Sequence, residues 1–281
     1  MMTRISLTAA IAAFMLISLP TAFAQVRPEL ITPHQFRVCA DPNDLPFSNR
    51  KLQGFENKIA ALIARGMNRR LTYFWFPNSA GFVRNSLSQH FCDVIMGVVG
   101  GEDMVATTAA YYHSGYVIVR RKGSKLKSAA LSDPAFQRAR IGIIAGTPPA
   151  DLLVRYHLLD QIQTYALLVD TRYADPSLRM LKDIANRKID IGLLWGPIAG
   201  YDILHDHLPL TATFIAPSAN TARLDYRIAI GVRPGDPLWR NRINLAIEKN
   251  RHEITAILES YGVPLLDAQN HPIKASVQLS R

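Results

Sequence analysis

Four carboxylic acids stand early in this chain where they could serve a ligand. Asp41 and Asp44 share the loop of Arg37-Val38-Cys39-Ala40-Asp41-Pro42-Asn43-Asp44-Leu45-Pro46-Phe47-Ser48-Asn49, with Asn43 and Phe47 between and beside them. Glu56 follows in Gly54-Phe55-Glu56-Asn57, and Asp93 opens a later apolar run. Paired carboxyls can divide acid and base roles between them. The same groups shape loops and helix starts by accepting backbone hydrogen bonds, and that is the preferred reading. His205-Asp206-His207 has the residue types of a metal pair, yet no third ligand is identifiable, so it reads as a solvated turn. Thr147-Pro148-Pro149 starts a helix whose free N–H groups could meet an anion. Two prolines reduce those donors, so capping alone is an equal reading. Trp75, Trp195 and Tyr111-Tyr112 could line an apolar cleft. The chain has no Gly-x-Ser-x-Gly elbow, P-loop, dinucleotide fingerprint or haem-attachment pair. No catalytic residue, metal or cofactor is expected, and the chain is read as a non-enzyme.

The elements that would position these residues alternate. Phe36 to Ala40 reads as a strand, and its Pro- and Asx-rich continuation as a rigid loop. Phe55, Ile59, Leu62 and Ile63 mark one helix face that Gly66 can end. Strands are expected at 71–76, 94–98, 115–119, 141–144, 165–169, 191–195, 210–216 and 226–232. Helices are expected around Phe82–Leu87, after Pro149, and over Leu178–Ala185. A long helical region runs from Leu238 to Tyr261. Cys92-Asp93-Val94-Ile95-Met96 and Ile189-Asp190-Ile191-Gly192-Leu193 each place an Asp at a strand entrance, in accord with two βαβαβ units.

Residues 1–24 read as a cleavable export signal. Arg4 precedes the apolar core Ile11–Leu19, and Ala22-Phe23-Ala24 fits a cleavage site before Gln25. No Cys stands there for a lipid anchor, and no later apolar run approaches ~20 residues. A periplasmic protein without a membrane anchor is expected. Apolar content of 48% and charged content of 19% describe a globular chain. The net charge of +10 favours acidic partners or anions. Nucleic acid is not expected, since no arginine-rich arm or basic–aromatic stretch occurs.

The opening stretch resembles that of type II periplasmic solute-binding proteins, and more narrowly the MxaJ/XoxJ group that accompanies PQQ-dependent methanol dehydrogenases. Gly81-Phe82-Val83-Arg84-Asn85, Cys92-Asp93-Val94-Ile95-Met96-Gly97-Val98, Gly146-Thr147-Pro148-Pro149-Ala150, Trp195-Gly196-Pro197-Ile198-Ala199-Gly200-Tyr201 and Tyr261-Gly262-Val263-Pro264 resemble the group in the same order. The resemblance implies an α/β fold of two lobes joined by two crossover segments, near 120–126 and 222–228. Lobe 1 would take 25–121 and 227–281, and lobe 2 would take 122–226. Asp41, Asn43, Asp44, Phe47, Glu56, Gly97, Thr147 and Trp195 would rim the cleft between them. The strands of Cys39 and Cys92 would then be neighbours ~4.8 Å apart, which permits a disulfide; two buried thiols are the alternative.

Two departures bear on function. Relatives that carry amino acids grip the carboxylate with an Arg after the strand equivalent to 94–98; here Val99-Gly100-Gly101-Glu102-Asp103-Met104 has none. Their Asp for the ligand ammonium is replaced by Trp195-Gly196-Pro197. The resemblance implies an accessory protein whose partner is a quinoprotein (PQQ) methanol or alcohol dehydrogenase, or its cytochrome. The alternative is a transporter-linked receptor holding a small organic solute in the cleft, and the third reading is a hydro-lyase.

Overall fold

The computed structural model describes residues 31–100, 104–167, 169 and 173–273. The expected export signal, its cleavage point and residues 101–103 of the segment after the fifth strand lie outside the described residues. Strand β1 (Gln35–Ala40) leads through a hairpin of β2 (Asn43–Asp44) and β3 (Ser48–Asn49) into α1 (Phe55–Gly66) and β4 (Arg70–Trp75). Next come β5 (Val94–Val99), β6 (Ala106–Thr107), β7 (Tyr112–Arg121), β8 (Ile141–Ile144), α2 (Ala150–Arg155), β9 (Ile162–Tyr165) and α3 (Pro176–Ala185). The chain ends in β10 (Ile191–Trp195), α4 (Gly196–His205), β11 (Leu210–Phe214), β12 (Asp225–Val232), α5 (Pro237–Lys249) and α6 (Arg251–Ser260).

The main strands run in the order β4-β1-β5-β12-β7-β10-β8-β9. β1 pairs in parallel with both β4 and β5, and β8 with β9 and β10, as βαβ crossovers require. β7 joins the two halves. Its residues Tyr112 to Gly115 pair with β12, whereas Tyr116 to Arg120 pair with β10 and Val117 to Arg121 with β11. The change of partner thus falls between Gly115 and Tyr116, inside one strand, and the return falls at Leu224–Asp225, whose neighbours Gly115 and Tyr116 they face. Each half buries its own apolar layer. Phe36, Phe55, Ile59, Ile63 and Trp239 lie in one, Phe136, Ile141, Leu152 and Leu193 in the other.

α1 follows from its sequence: Phe55, Ile59 and Ile63 sit on one stripe and are fully buried. Other expectations are corrected. The apolar spacing at Phe82, Val83 and Leu87 serves a run of turns with one 3-10 turn at Leu87–Gln89, not an α-helix. Gly81 at φ +86° and His90 at φ +59° bracket it, and Phe82 and Leu87 pack around the cysteines. The strand expected at 165–169 ends at Tyr165, having begun at Ile162. The terminal helix breaks at Asn250, whose amide donates to the Ala246 carbonyl at 2.7 Å. Helix α4, which periodicity alone did not reveal, starts where Pro197 presets the first-turn φ.

Candidate functional site

The loop after β1 is held by its own polar side chains. Asp41 accepts from the Asn43 N–H at 2.7 Å and from the Asn78 N–H at 2.6 Å, while Ser48 Oγ donates to the Asp41 carbonyl at 2.9 Å. The loop is then sewn to the first turn of α1. Phe55 N–H donates to the Pro46 carbonyl at 2.8 Å and Glu56 N–H to that of Phe47 at 3.0 Å. Asn57 Oδ1 accepts from Asn49 and Gly54, both at 3.1 Å. A Cβ at Gly54 would collide with the Phe47 carbonyl, so only glycine permits this approach. Phe47 packs edge-on against Phe55 at 5.4 Å, which makes it part of the loop's anchor.

This arrangement pushes Glu56 into the protein. A helix first turn favours a carboxylate by only about 0.3–1 kcal/mol, less than the several kcal/mol that burial of a lone charge costs. Burial wins: together with the neighbouring Asp44 charge it raises Glu56 to about 8, against the opposing hydrogen bond of Tyr111. Tyr111 donates to Glu56 Oε1 at 3.4 Å and accepts from the Gly97 N–H at 3.2 Å. Gly97 adopts φ +73°, and a Cβ there would collide with Glu56 Oε1. Burial also lifts Asp44, to about 7, helped by the charges of Asp41 and, across the chain, Asp175. Asp41, Asp44, Glu56 and Gly97 therefore belong to one cluster toward the carboxyl-terminal side of β1 and β5, the side on which open α/β sheets hold ligands. At neutral pH the Glu56–Tyr111–Gly97 chain is uncharged. It can donate hydrogen bonds and exchange a proton, and no metal-sized group of His, Cys, Asp and Glu occurs among the described residues.

The remaining expected residues are placed elsewhere. Trp195 ends β10 and meets Tyr116 at 5.3 Å and Tyr226 at 5.9 Å, both edge-on, at the point where β7 changes partners. Thr147 does not cap α2. Its hydroxyl donates to the Ile144 carbonyl at 2.7 Å, and Pro149 occupies the cap. Asp93 is no acid–base group. Arg37 binds it through two contacts of 2.8 Å and Arg233 through a third of 2.8 Å; these cations hold it below the ordinary carboxylate range despite its burial. His205 and Asp206 pair at 3.1 Å, with Lys182 at 3.5 Å from the same carboxylate. Sequence reasoning missed the bridging role of Tyr111, and Asp202, whose buried Oδ2 finds no hydrogen-bond partner among the described residues. Asp202 is raised to about 8 by burial and by Asp175 and Asp206. A groove of about 360 Å³ at the crossing, lined by Tyr116, Phe214, Leu224, Leu266 and Pro272, contains none of the expected site residues.

Cys39 and Cys92 are bonded, with Cα atoms 5.4 Å apart. No protein-family model matches the chain. Protein MoxJ of Methylorubrum extorquens is 30% identical over 249 residues, which cover 83% of this chain and 82% of that protein. The crystal structure of the periplasmic binding protein XoxJ from Methylobacterium extorquens AM1 superposes with a TM-score of 0.71 at 36% identity, over 83% of this chain and 99% of XoxJ. The chain belongs to the MoxJ/XoxJ family. MxaJ of Methylophaga aminisulfidivorans superposes equally well, at a TM-score of 0.71, with 28% identity over 83% of this chain and all of MxaJ. An ancestral cationic amino-acid binding protein, at 16% identity and a TM-score of 0.63, shares the fold alone. The chain thus has the type II periplasmic binding fold, two α/β halves joined through β7. None of its described helices is long and apolar enough to cross a membrane.

Proposed function

We propose that this MoxJ/XoxJ-family protein is an exported, non-enzymatic accessory factor of a PQQ-dependent methanol or alcohol dehydrogenase. It would act there in docking, maturation or activation. Its match to MoxJ and XoxJ along most of each chain carries this reading. The expected cleft supports it, because the position of an amino-acid-binding Asp holds Trp195, packed between Tyr116 and Tyr226. Asp41, Asn43, Asp44, Glu56 and Gly97 form the first candidate face for a partner or ligand, and Thr147 and Trp195 would face them from the other lobe. The tagged mature protein, incubated with periplasm from methanol-grown cells, is expected to retain the quinoprotein dehydrogenase at low salt and to lose it at ~1 M salt, where the Debye length is ~3 Å. Failure to retain it at any salt would reject the reading.

A receptor for a small organic solute is the second reading, favoured by the uncharged Glu56–Tyr111–Gly97 chain, which could share protons with a polar ligand. A panel of organic solutes that raised the thermal midpoint by several degrees would select this reading over the first.

A further inference from the structure

We infer that the far edge of the β7–β8–β10–β11 sheet is a docking face for an acidic protein surface. Resting on the function proposed above, that surface is the one the quinoprotein dehydrogenase presents. The register of the sheet builds the face. Arg120 lies opposite Ile191, Ile191 beside Ile141, and Arg121 opposite Leu210, so β7 ends where β8, β10 and β11 begin. Segments 120–127, 138–140 and 187–190, far apart in sequence, become neighbours at roughly 4.8 Å strand spacing. All three are basic.

Their backbone is held in place. Arg121 donates to the carbonyls of Ile184 and Ile189 at 2.7 and 3.0 Å, and Arg140 donates to that of Arg187 at 2.9 Å. Apart from the exposed Asp160 ahead of β9, the carboxylates in the area are already engaged. Asp190 pairs with Arg140 at 3.0 Å and Arg121 at 3.6 Å, while Asp183 pairs with Lys188 at 2.9 Å and accepts from Tyr165 Oη at 2.9 Å. Asp133 accepts from the Ala135 N–H at 2.9 Å. Lys122, Lys125, Lys127, Arg138 and Arg187 are exposed, and none has an ion-pair partner among the described residues. Five free cations on an ordered edge set up a field that acts over about one Debye length, ~8 Å at physiological salt and longer at low salt, and steers an acidic partner into register.

An anionic membrane would also attract this edge. Lasting attachment there draws on apolar side chains inserted among the lipids, in addition to charge. No large apolar side chain of residues 120–140 or 182–191 is exposed, whereas the rim of a protein interface needs none. The observations favour a protein partner.

The test compares three forms of the mature protein against purified dehydrogenase by surface plasmon resonance at low and ~1 M salt. They are the wild type, Lys122→Glu/Lys125→Glu/Lys127→Glu, and a control of equal charge change on the other half of the molecule, Lys51→Glu/Lys58→Glu/Lys249→Glu. Circular dichroism checks that each is folded. The edge variant is expected to lose about ten-fold in affinity at low salt, mostly through slower association, with the control changing less than about two-fold. Equal losses in both variants, or none in the edge variant, would overturn the docking face while leaving the accessory reading intact. No binding by the wild type would overturn both. Vesicles of phosphatidylcholine and phosphatidylglycerol form the last arm. An edge variant that loses vesicle binding but keeps the dehydrogenase would replace the protein face by a lipid face.

Discussion

Glu56 and Asp93 show how opposite surroundings give two carboxyls opposite pH behaviour. Glu56 is raised from 4.5 to about 8, chiefly by burial. Between those two values the folded protein holds a proton that the unfolded chain has lost, so this group's contribution to stability falls as pH rises from about 4.5 to about 8. Asp44, raised from 3.8 to about 7, acts in the same direction over a lower window. Asp93 is lowered by Arg37 and Arg233, so its contribution is present above its ordinary 3.8 and is lost on acidification through its folded value. Glu56→Gln keeps an oxygen for the Tyr111 hydroxyl but removes the titration. Urea midpoints at about pH 5, 7 and 9 are expected to fall for the wild type and to fall less for the variant, the gap widening with pH. Parallel curves would show that Glu56 is already ionised at neutral pH.

At the scale of elements, β1 and β5 are parallel neighbours, joined by hydrogen bonds and by the Cys39–Cys92 bridge. The bridge spans 53 residues and anchors a small apolar layer of Phe82, Leu87, Ile95, Val98 and Val105. In the chain-entropy account a closed loop of that length stabilises by roughly 4 kcal/mol. The turns of residues 79–91 have few backbone ladders to hold them, so they depend on this layer. Cys39→Ser/Cys92→Ser is expected to lose roughly 4 kcal/mol in guanidinium denaturation, within the usual range for native bridges. An unchanged midpoint would mean that strand pairing and packing alone define this corner.

The whole molecule is a two-halved α/β protein in which β7 passes from one half to the other without a break. What the halves could bind follows from charge. No amino-acid clamp is present at Trp195, and the acids nearest the expected cleft, Asp44 and Glu56, are held toward neutrality by burial. A ligand carboxylate brought there would be desolvated without an arginine in residues 99–104 to grip it, at a cost of several kcal/mol. Titration calorimetry with the standard amino acids is therefore expected to give no binding at micromolar concentrations. Micromolar affinity for any of them would show that clamps exist elsewhere in the molecule.

Much of this was legible in the sequence, because apolar periodicity is a local property. The stripe of Phe55, Ile59 and Ile63, the strands at 36–40 and 191–195 and the turn residues of the Asp41–Phe47 loop reveal α1, β1, β10 and the candidate loop without any tertiary information. The ordered series of family motifs pointed to the type II fold. Polar side chains do not carry their partners locally. Asp93 became structural because Arg37 and Arg233 reach it from 56 and 140 residues away. Glu56 became a neutral acid because the fold buries it and sets Asp44 nearby, a shift that the hydrogen bond from Tyr111, 55 residues away, opposes without reversing. Phe82 and Leu87 have helical spacing, yet they pack around the cysteines of two strands and the backbone turns to suit. The register at the end of β7 likewise gathers three separated basic segments on one edge. Local sequence set which faces are apolar; burial and long-range pairing, which only the tertiary structure supplies, decided which polar groups are charged, paired or free.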